Sequence, residues 1–135
     1  VLIAEKVSRD FYFFRNKKIF LTGGTGFFGK WLLESFLYLN NSFNLNISVT
    51  VLSRNPTQFK NKNKLLNNHS NFTFIEGDIN TLDYPNKNFD IIIHAAADVN
   101  NLNETKNENF TKISLMNGAK NICNLAKNSS TSKIL

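Results

Sequence analysis

Four glycines lie within a short stretch near the start of the chain, at Gly23, Gly24, Gly26 and Gly29. A glycine has no Cβ atom, so its backbone can turn sharply and an anionic group can come close to its amide nitrogen. The short apolar run Ile19–Leu21 precedes them and is typical of a strand. Apolar residues at helical spacing follow them and predict a helix with one buried face: Phe28, Trp31, Leu32, Phe36 and Leu39.

A strand, a glycine-rich turn and a helix, in that order, can form a binding site for phosphate groups. Gly23 permits the turn, Gly26 lets a pyrophosphate approach the backbone, and Gly29 lets the helix lie close to the sheet. The N–H groups of the first helical turn then face the phosphates, and the helix dipole favours the negative charge. The alternative is an ordinary strand-to-helix turn that is rich in glycine. We predict that this segment binds the pyrophosphate of a dinucleotide, through Thr22, Gly23, Gly24, Thr25, Gly26, Phe27, Phe28 and Gly29.

The same segment resembles a known family motif. Residues 22–29 read Thr-Gly-Gly-Thr-Gly-Phe-Phe-Gly, which resembles the Thr-Gly-x-x-Gly-x-x-Gly of the short-chain dehydrogenase/reductase superfamily. The Gly-Phe-Phe-Gly ending is similar to the extended branch of that superfamily, which contains nucleotide-sugar epimerases and 4,6-dehydratases. The resemblance extends from about Lys17 to Leu135. It implies a Rossmann-like α/β fold, a three-layer sandwich with a central parallel sheet of strand order 3-2-1-4-5.

The expected domain organisation follows from this resemblance. Residues 17–135 are expected to form the NAD(P)-binding domain, truncated at strand five, and residues 1–16 to form an N-terminal helix and flap. Apolar and β-branched runs predict strands at Lys18–Thr22, Ile47–Leu52, Asn71–Glu76, Asp90–Ala97 and Lys133–Leu135. Helical spacing predicts helices at Gly26–Leu39, from Pro56 through Leu66, and at Phe110–Lys127. In the last helix we expect one packed face, made of Ile113, Met116, Ala119, Ile122, Cys123 and Ala126.

Ser53 and Arg54 end the second predicted strand, where a dinucleotide-binding fold usually meets the adenosine ribose. An acidic residue here would accept hydrogen bonds from both ribose hydroxyls and repel a 2′-phosphate, but this chain has none at this place. Arg54 instead offers a planar cation that suits a phosphate. The pair therefore favours NADP over NAD as the cofactor, and NAD stays an open alternative. The competing interpretation is an arginine that points into solvent or stacks on the adenine.

Asp78 and Ile79 follow the third predicted strand, directly after Gly77. In the superfamily an Asp-Ile or Asp-Val pair at this place cups the adenine, and the carboxylate reaches the adenine amino group. The resemblance therefore implies that both residues contact the cofactor. Gly-Asp after a strand is also a common turn, which is the alternative.

His94, Ala95, Ala96 and Ala97 end the fourth predicted strand and resemble the His-Ala-Ala motif of the extended branch. Small residues at the carboxyl end of a strand let the ribose and the nicotinamide of the cofactor lie against the backbone. His94 could in principle act in catalysis. The interpretation that we favour is a histidine packed beside the cofactor, as the resemblance implies.

The reaction of the superfamily uses a Tyr-x-x-x-Lys pair together with a Ser or Thr. The tyrosine passes a proton, the lysine lowers the pKa of the tyrosine, and the hydroxyl orients the substrate, while hydride moves to or from the nicotinamide. None of the three tyrosines is followed by a lysine four positions later, because Asn16, Ser42 and Asn88 stand there. We therefore assign no catalytic residue and expect this machinery to lie beyond Leu135.

The function that the resemblance implies is the cofactor-binding half of an enzyme that acts on a nucleotide-diphosphate sugar, as a 4,6-dehydratase or an epimerase. One departure concerns the helix motif Asn-x-x-Gly-Thr of the extended branch, because Leu115 and Ala119 replace the Asn and the Thr. The alternative function is a non-catalytic NADP-binding module that senses or scaffolds. Because family members often dimerise through the helix at Phe110–Lys127, a homodimer is expected for the full-length enzyme.

Composition argues against several other classes of protein. The net charge of +6 comes from Lys and Arg residues that are scattered, apart from Lys60, Lys62 and Lys64 in one segment. No aromatic residue interleaves with that cluster, which indicates a solvated surface and not a nucleic-acid-binding face. Cys123 is the single cysteine, so no internal disulfide forms and a reducing, cytoplasmic compartment fits. His69 and His94 lack partners at metal-ligand spacing, so no metal is expected. Apolar runs stay shorter than the roughly 18 residues of a membrane span, so no membrane span is expected.

Overall fold

The computed structural model describes residues 10–82, 87–96 and 108–135. The strands are β1 Lys18–Thr22, β2 Ser48–Ser53, β3 Phe72–Glu76, β4 Ile91–His94 and β5 Lys133–Ile134. The α-helices are α1 Phe27–Phe43, α2 Pro56–Lys62, α3 Lys64–Asn67 and α4 Glu108–Asn128. Short 3₁₀ helices lie at Tyr12–Phe14 and Ile79–Thr81. Residues 1–9, which belong to the predicted N-terminal helix and flap, lie outside the described residues.

The five strands form one parallel sheet of order β3-β2-β1-β4-β5, which confirms the predicted topology. β1 lies in the centre, where Leu21 is in register with Val51 of β2 and with Ile93 of β4. Strand order reverses between β1 and β4, and in open α/β sheets ligands bind outside the carboxyl ends of the strands at such a point.

The side chains of β1 show how the sheet is covered on both faces. Ile19, Phe20 and Leu21 are all fully buried, and successive side chains of a strand point to opposite faces. Ile19 and Leu21 belong to a core cluster with Leu33 and other residues of α1. Phe20 belongs to a second cluster, which includes Ile122 of α4. The three apolar residues in a row are therefore explained by a layer of helix on each side.

Several element boundaries shift by one or two residues from the predictions, and the ends of α1 and β4 shift by more. α1 continues past its predicted end at Leu39 and ends at Phe43, where Asn44 adopts the left-handed conformation with φ of 50° that commonly terminates a helix. β4 ends at His94 and not at Ala97. Its neighbour β1 ends at Thr22, whose carbonyl oxygen accepts the last ladder hydrogen bond from the Ala95 N–H at 3.2 Å.

The predicted packed face of the last helix is wrong in part. Ile113, Met116 and Cys123 are exposed, as is Ala119. The side chains of α4 that are buried lie on a neighbouring face: Gly118, Ile122, Leu125 and Ala126. Since α4 carries apolar residues on two faces, helical spacing alone could not tell which face meets the sheet.

The packing of the first helix and of the helix after β2 also differs from the predictions. Phe28 and Trp31 of α1 are exposed, at 77% and 61%, because the buried face of α1 runs instead through Gly29 and Leu33. The predicted helix from Pro56 onwards is two short helices, α2 and α3, that meet at Asn63. Leu65 of α3 is exposed.

The N-terminal aromatic segment lies against α1. The ring of Phe14 meets that of Phe36 at 5.7 Å between centroids, and the ring of Phe11 meets that of Phe43 at 6.3 Å. Within the described ranges, none of the helices has both the length and the apolar character needed to cross a bilayer.

Candidate dinucleotide-binding site

An open cleft of about 500 Å³ lies at the carboxyl ends of β1, β2 and β4. This is where the fold predicts a ligand, because the strand order reverses there. Most residues predicted to contact a cofactor line this cleft: Thr22, Gly23, Thr25, Gly26, Phe27, Phe28, Gly29, Ser53, Arg54, Asp78, Ile79, His94, Ala95 and Ala96.

Two predicted residues are not part of this lining. Gly24 is buried beneath the turn, where a Cβ atom would lie 2.6 Å from Cγ1 of Val51. Ala97 lies outside the described residues. The cleft also has lining residues that sequence reasoning missed: Leu52, Gly77, Asn80, Ser114, Leu115 and Gly118. Leu52 and Gly77 precede predicted residues in the chain. Leu115 and Gly118 stand in the helix segment compared above with the Asn-x-x-Gly-Thr motif, but the spacing of residues in this chain does not show that α4 reaches the cleft.

The glycine turn is built as a close approach between two backbone segments. Gly23 adopts a φ of 70°, and a Cβ atom on it would lie 2.5 Å from the carbonyl carbon and oxygen of Ala95. The Gly26 N–H donates to the Gly23 carbonyl oxygen at 3.0 Å. A Cβ atom on Gly29 would collide with the Gly23 carbonyl oxygen. Gly23 and Gly29 are therefore required by the fold itself, whereas Gly26 is exposed.

The N-terminus of α1 fits an anionic ligand. Gly26 is its N-cap residue, with φ of −80° and ψ of −178°, and no side chain among the described residues caps this helix end. The first turn holds no acidic residue. Unsatisfied N–H groups and the positive end of the helix dipole therefore face the cleft, which is the chemistry that binds a diphosphate.

Thr22 and His94 form a hydrogen-bonded pair at the ends of β1 and β4. The Thr22 Oγ1 lies 2.7 Å from the His94 Nδ1 and accepts from the Ala96 N–H at 3.3 Å. Thr22 is buried, so its hydroxyl hydrogen needs an acceptor, and we assign His94 Nδ1 that role. The neutral ring then carries its proton on Nε2, and burial lowers the pKa of His94 below its ordinary value of 6.5. The geometry therefore holds a neutral imidazole beside the cleft.

We expect His94 to make the stability of the chain depend on pH. A lowered pKa in the folded state means that the unfolded chain binds the proton more tightly, so the free energy of unfolding rises with pH in this window. The stabilisation is complete above pH 6.5 and is lost as the pH falls from 6.5 towards the lower folded-state pKa of His94. Urea unfolding between pH 5 and 8 measures this dependence. In a His94→Gln variant the slope should flatten, and equal slopes for the two proteins would contradict the assignment.

The segment that carries Asp78 and Ile79 is tied to α4. The Asp78 Oδ1 accepts from the Asn80 N–H at 2.8 Å and so caps the 3₁₀ helix at Ile79–Thr81. The Asn121 Nδ2 of α4 donates to the Ile79 carbonyl oxygen at 2.7 Å and lies 3.1 Å from that of Asn80. The Asn80 Nδ2 also donates to the Ser114 Oγ at 3.1 Å. These bonds fix the position of the predicted adenine contacts relative to α4.

A second cleft of about 500 Å³ adjoins the first one and shares with it Thr25, Ser53 and Arg54. The Ser53 Oγ accepts from the Asn55 N–H at 3.2 Å and lies 3.5 Å from the Thr25 Oγ1. The second cleft continues between α1 and α2, where its lining consists of Lys30, Asn55, Gln58, Phe59, Lys62 and Asn63.

The parallel sheet and the glycine turn at the start of α1 together define a Rossmann-like dinucleotide-binding protein. The sequence model of the NAD dependent epimerase/dehydratase family matches residues 19–135. The chain belongs to this family.

Solved structures with the same fold cover most of this chain. Pen from Bacillus thuringiensis gives a TM-score of 0.70 over 90% of the chain at 23% identity. UDP-N-acetylglucosamine 4-epimerase from Methanobrevibacter ruminantium M1, in complex with UDP-N-acetylmuramic acid, gives 0.69 over 89% at 22% identity. UDP-glucuronic acid 4-epimerase from Bacillus cereus, in complex with UDP-glucuronic acid and NAD, gives 0.66 over 87% at 22% identity. At these identities the likeness shows the fold.

The chain spans only part of the length of these structures, namely 37% of the first two and 38% of the third. A comparison with curated proteins finds no sequence that matches this chain.

Proposed function

We propose that the chain is the NAD(P)-binding half of an extended short-chain dehydrogenase/reductase that acts on a nucleotide-diphosphate sugar, as a 4,6-dehydratase or an epimerase. The observation that carries this proposal is the uncapped N-terminus of α1, whose glycine turn opens into the main cleft. Membership of the NAD dependent epimerase/dehydratase family supports the choice of ligand. In this proposal the binding domain comprises residues 17–135, preceded by an N-terminal segment at residues 1–16.

Each part of the cofactor has a proposed place in the main cleft. The pyrophosphate lies against the backbone from Gly23 to Gly29, where its charge meets the N–H groups of α1. The adenine lies against Asp78 and Ile79, and the nicotinamide end lies against the small residues that follow His94. When bound, the dinucleotide supplies a hydride acceptor or donor at its nicotinamide ring.

NADP is the proposed cofactor. Ser53 and Arg54 line the main cleft at the end of β2, where the adenosine ribose lies in this fold. Neither residue carries the carboxylate that would select the ribose hydroxyls of NAD, and the guanidinium of Arg54 suits a 2′-phosphate.

The proposed substrate is a nucleotide-diphosphate sugar. Two solved structures of the same fold support this class, because their ligands are UDP-N-acetylmuramic acid and UDP-glucuronic acid. We assign no catalytic residue to the chain. A second candidate function, a non-catalytic NADP-binding module, is favoured by Leu115, an apolar residue that lines the cleft where the branch carries an asparagine.

A homodimer formed through α4 is the proposed assembly of the full-length enzyme. Ile113, Met116 and Cys123 form an exposed apolar stripe on α4, and Met116 is 71% exposed. A second copy of α4 would cover this stripe and remove apolar surface from water. Sedimentation velocity of the full-length enzyme should show a dimer that Met116→Lys converts to a monomer. A monomer at all concentrations would contradict this assembly.

The lone Cys123 supports a reducing, cytoplasmic location.

Isothermal titration calorimetry with NAD and with NADP tests the binding function. Saturable heat with at least one of the two supports it, and the absence of heat with both, on a chain that circular dichroism shows to be folded, overturns it. The reaction is tested with nucleotide-diphosphate sugars on the proposed full-length enzyme. A sugar inverted at C4 identifies an epimerase, and a 4-keto-6-deoxy sugar identifies a dehydratase.

A further inference from the structure

We propose that α1 pairs with α1 of a second copy of this chain, through a row of exposed aromatic side chains on its outward face. This row, called the aromatic stripe, consists of Phe27, Phe28, Trp31 and Tyr38. The contact needs neither the cofactor nor the contact proposed for α4.

The rings of the aromatic stripe lie on the side of α1 opposite the buried Leu33. At 3.6 residues per turn, their four positions fall within about 100° around the helix axis. The exposed fractions are 75% for Phe27, 77% for Phe28, and 61% each for Trp31 and Tyr38. Polar residues usually occupy the outward face of a surface helix. A contiguous apolar patch at this place therefore marks an interaction surface.

The exposed area of the aromatic stripe is sufficient for a dimer. A fully covered aromatic side chain buries roughly 150–250 Å², so four rings at these exposures offer roughly 400–700 Å² per copy. Two copies then bury roughly 800–1,400 Å² in total, compared with the roughly 1,000 Å² that a specific interface needs. An interface of this size predicts a dissociation constant in the micromolar range.

The order of the residues along α1 lets the aromatic stripe pair with itself. In a twofold dimer, residue i of one copy contacts residue j of the other, and j contacts i. We place the twofold axis at the midpoint of the stripe, with the two helices antiparallel. The two Trp31 rings then lie side by side, and Phe27 of each copy lies opposite Tyr38 of the other. Large rings thus contact large rings along the whole interface.

Two charged residues beside the aromatic stripe complement each other in the same arrangement. Lys30 and Glu34 stand on one flank of the stripe, and the Lys30 Nζ lies 3.7 Å from the Glu34 Oε1. These two residues are placed about evenly around the proposed axis, so Lys30 of each copy comes close to Glu34 of the other. Two exposed ion pairs then join into one network of alternating charges, which contributes more than isolated pairs do.

The same charges argue against an anionic partner, such as a nucleic acid or an acidic lipid surface. Lys30 and Glu34 are the charged residues of α1, and their charges cancel. The outward face of α1 therefore lacks the positive field that attracts an anionic surface. A second copy, which carries the same balanced pair, is the occupant that this face fits.

The test is sedimentation velocity and fluorescence of the chain in a Met116→Lys background, which removes the contact proposed for α4. Because α1 and α4 pack on opposite faces of the sheet, this background leaves α1 unchanged. The chain should dimerise in the micromolar range. The emission of Trp31, the single tryptophan, should shift to shorter wavelength as the chain concentration rises. Trp31→Lys and Tyr38→Lys should each weaken dimerisation at least about thirtyfold, with an unchanged circular dichroism spectrum.

Charge reversal gives a readout that a merely structural role would not move. Lys30→Glu should weaken dimerisation about threefold to tenfold, because four carboxylates then surround the axis. Adding Glu34→Lys should restore dimerisation. Ile113→Lys is the matched control, because Ile113 is an apolar residue of α4 that is 56% exposed. In the same background this control should dimerise like the unsubstituted chain.

Four outcomes would overturn the inference. A chain that stays monomeric well above the micromolar range, with Trp31 exposed, does not pair through α1. A monomer with the fluorescence of a buried tryptophan has the stripe covered by another segment of the same chain. A monomer that binds phosphatidylcholine vesicles, and loses this binding in Trp31→Lys, uses the stripe for a lipid surface. A dimer that persists in both Trp31→Lys and Tyr38→Lys forms elsewhere on the chain.

Discussion

Replacing Gly26 with alanine is expected to weaken dinucleotide binding strongly while the chain stays folded. The backbone of Gly26, with φ of −80° and ψ of −178°, suits any residue, and a Cβ atom there would lie 3.3 Å from the Gly23 carbonyl oxygen. An alanine N-cap and this close contact should lower the free energy of unfolding by only about 1 kcal/mol. The added methyl group projects where a pyrophosphate must approach the backbone of the turn. Loss of a single charged hydrogen bond costs about 1.5–3 kcal/mol, so binding should weaken by about tenfold to a hundredfold.

Calorimetry measures the loss of binding, and urea unfolding measures the cost in stability. Asn41→Ala is a suitable control, since Asn41 is an exposed residue of α1 outside the lining of either cleft. That variant should bind the dinucleotide like the wild type. Normal binding by Gly26→Ala would show that the ligand does not approach this backbone, and the proposed function would lose its main support.

Replacing Gly23 with alanine is expected to destabilise the fold itself. Gly23 has a φ of 70°, and placing an L-residue in this left-handed region lowers the free energy of unfolding by about 1–2 kcal/mol. The new Cβ atom would also lie 2.5 Å from the Ala95 carbonyl and 2.6 Å from the Ala96 nitrogen. The backbone at Ala95 and Ala96 cannot easily move away from the new Cβ atom, because both N–H groups are hydrogen-bonded to Thr22. With about 1–3 kcal/mol for the overlap, the total loss should be about 2–5 kcal/mol, a large part of the stability of a typical domain.

The midpoint of urea unfolding should therefore fall steeply for Gly23→Ala. Gly24→Ala provides the matched comparison, because the nearest obstacle to a Cβ atom on Gly24 is the side chain of Val51, at 2.6 Å, and no positive φ is involved. A side chain can move more easily than backbone, so Gly24→Ala should cost less. A Gly23→Ala protein as stable as Gly24→Ala would refute the account of the turn given above.

The central part of this site could be predicted because its signals are local. A β-branched and aromatic run followed by Gly23, Gly26 and Gly29 determines a strand, a turn and a helix through backbone preferences that act within a few residues. The order of the sheet then follows from the crossover rules for parallel strands. For these reasons the predicted topology β3-β2-β1-β4-β5 agrees with the structure.

The orientation of α4 could not be predicted because the pattern was ambiguous. Met116 and Cys123 continue one apolar face, whereas Ile122 and Leu125 occupy another, and only the second face meets the sheet. Spacing identifies a helix but does not choose between two apolar faces. That choice depends on the shape of the sheet surface that the helix covers.

The remaining features of the site depend on contacts between distant parts of the chain. The Asn121 side chain donates a hydrogen bond to the backbone of Ile79, 42 positions away in the sequence. No local sequence pattern around either residue predicts this contact. Lys30 of α1 and Lys62 of α2 line one cleft because both helices border it. Contacts between residues that are distant in the sequence depend on the assembled fold, so no single motif predicts them.

The tether from Asn121 has a consequence for how the full-length protein would behave. α4 holds the 3₁₀ helix beside the proposed adenine contacts and also carries the exposed apolar stripe around Met116. If a second copy of the chain orders α4, it also orders the cofactor side of the helix, and thermodynamic reciprocity then requires that the cofactor strengthen self-association by the same factor. Occupancy of the nucleotide cleft and quaternary state would thus be coupled through the bonds that Asn121 and Asn80 make between α4 and the 3₁₀ helix.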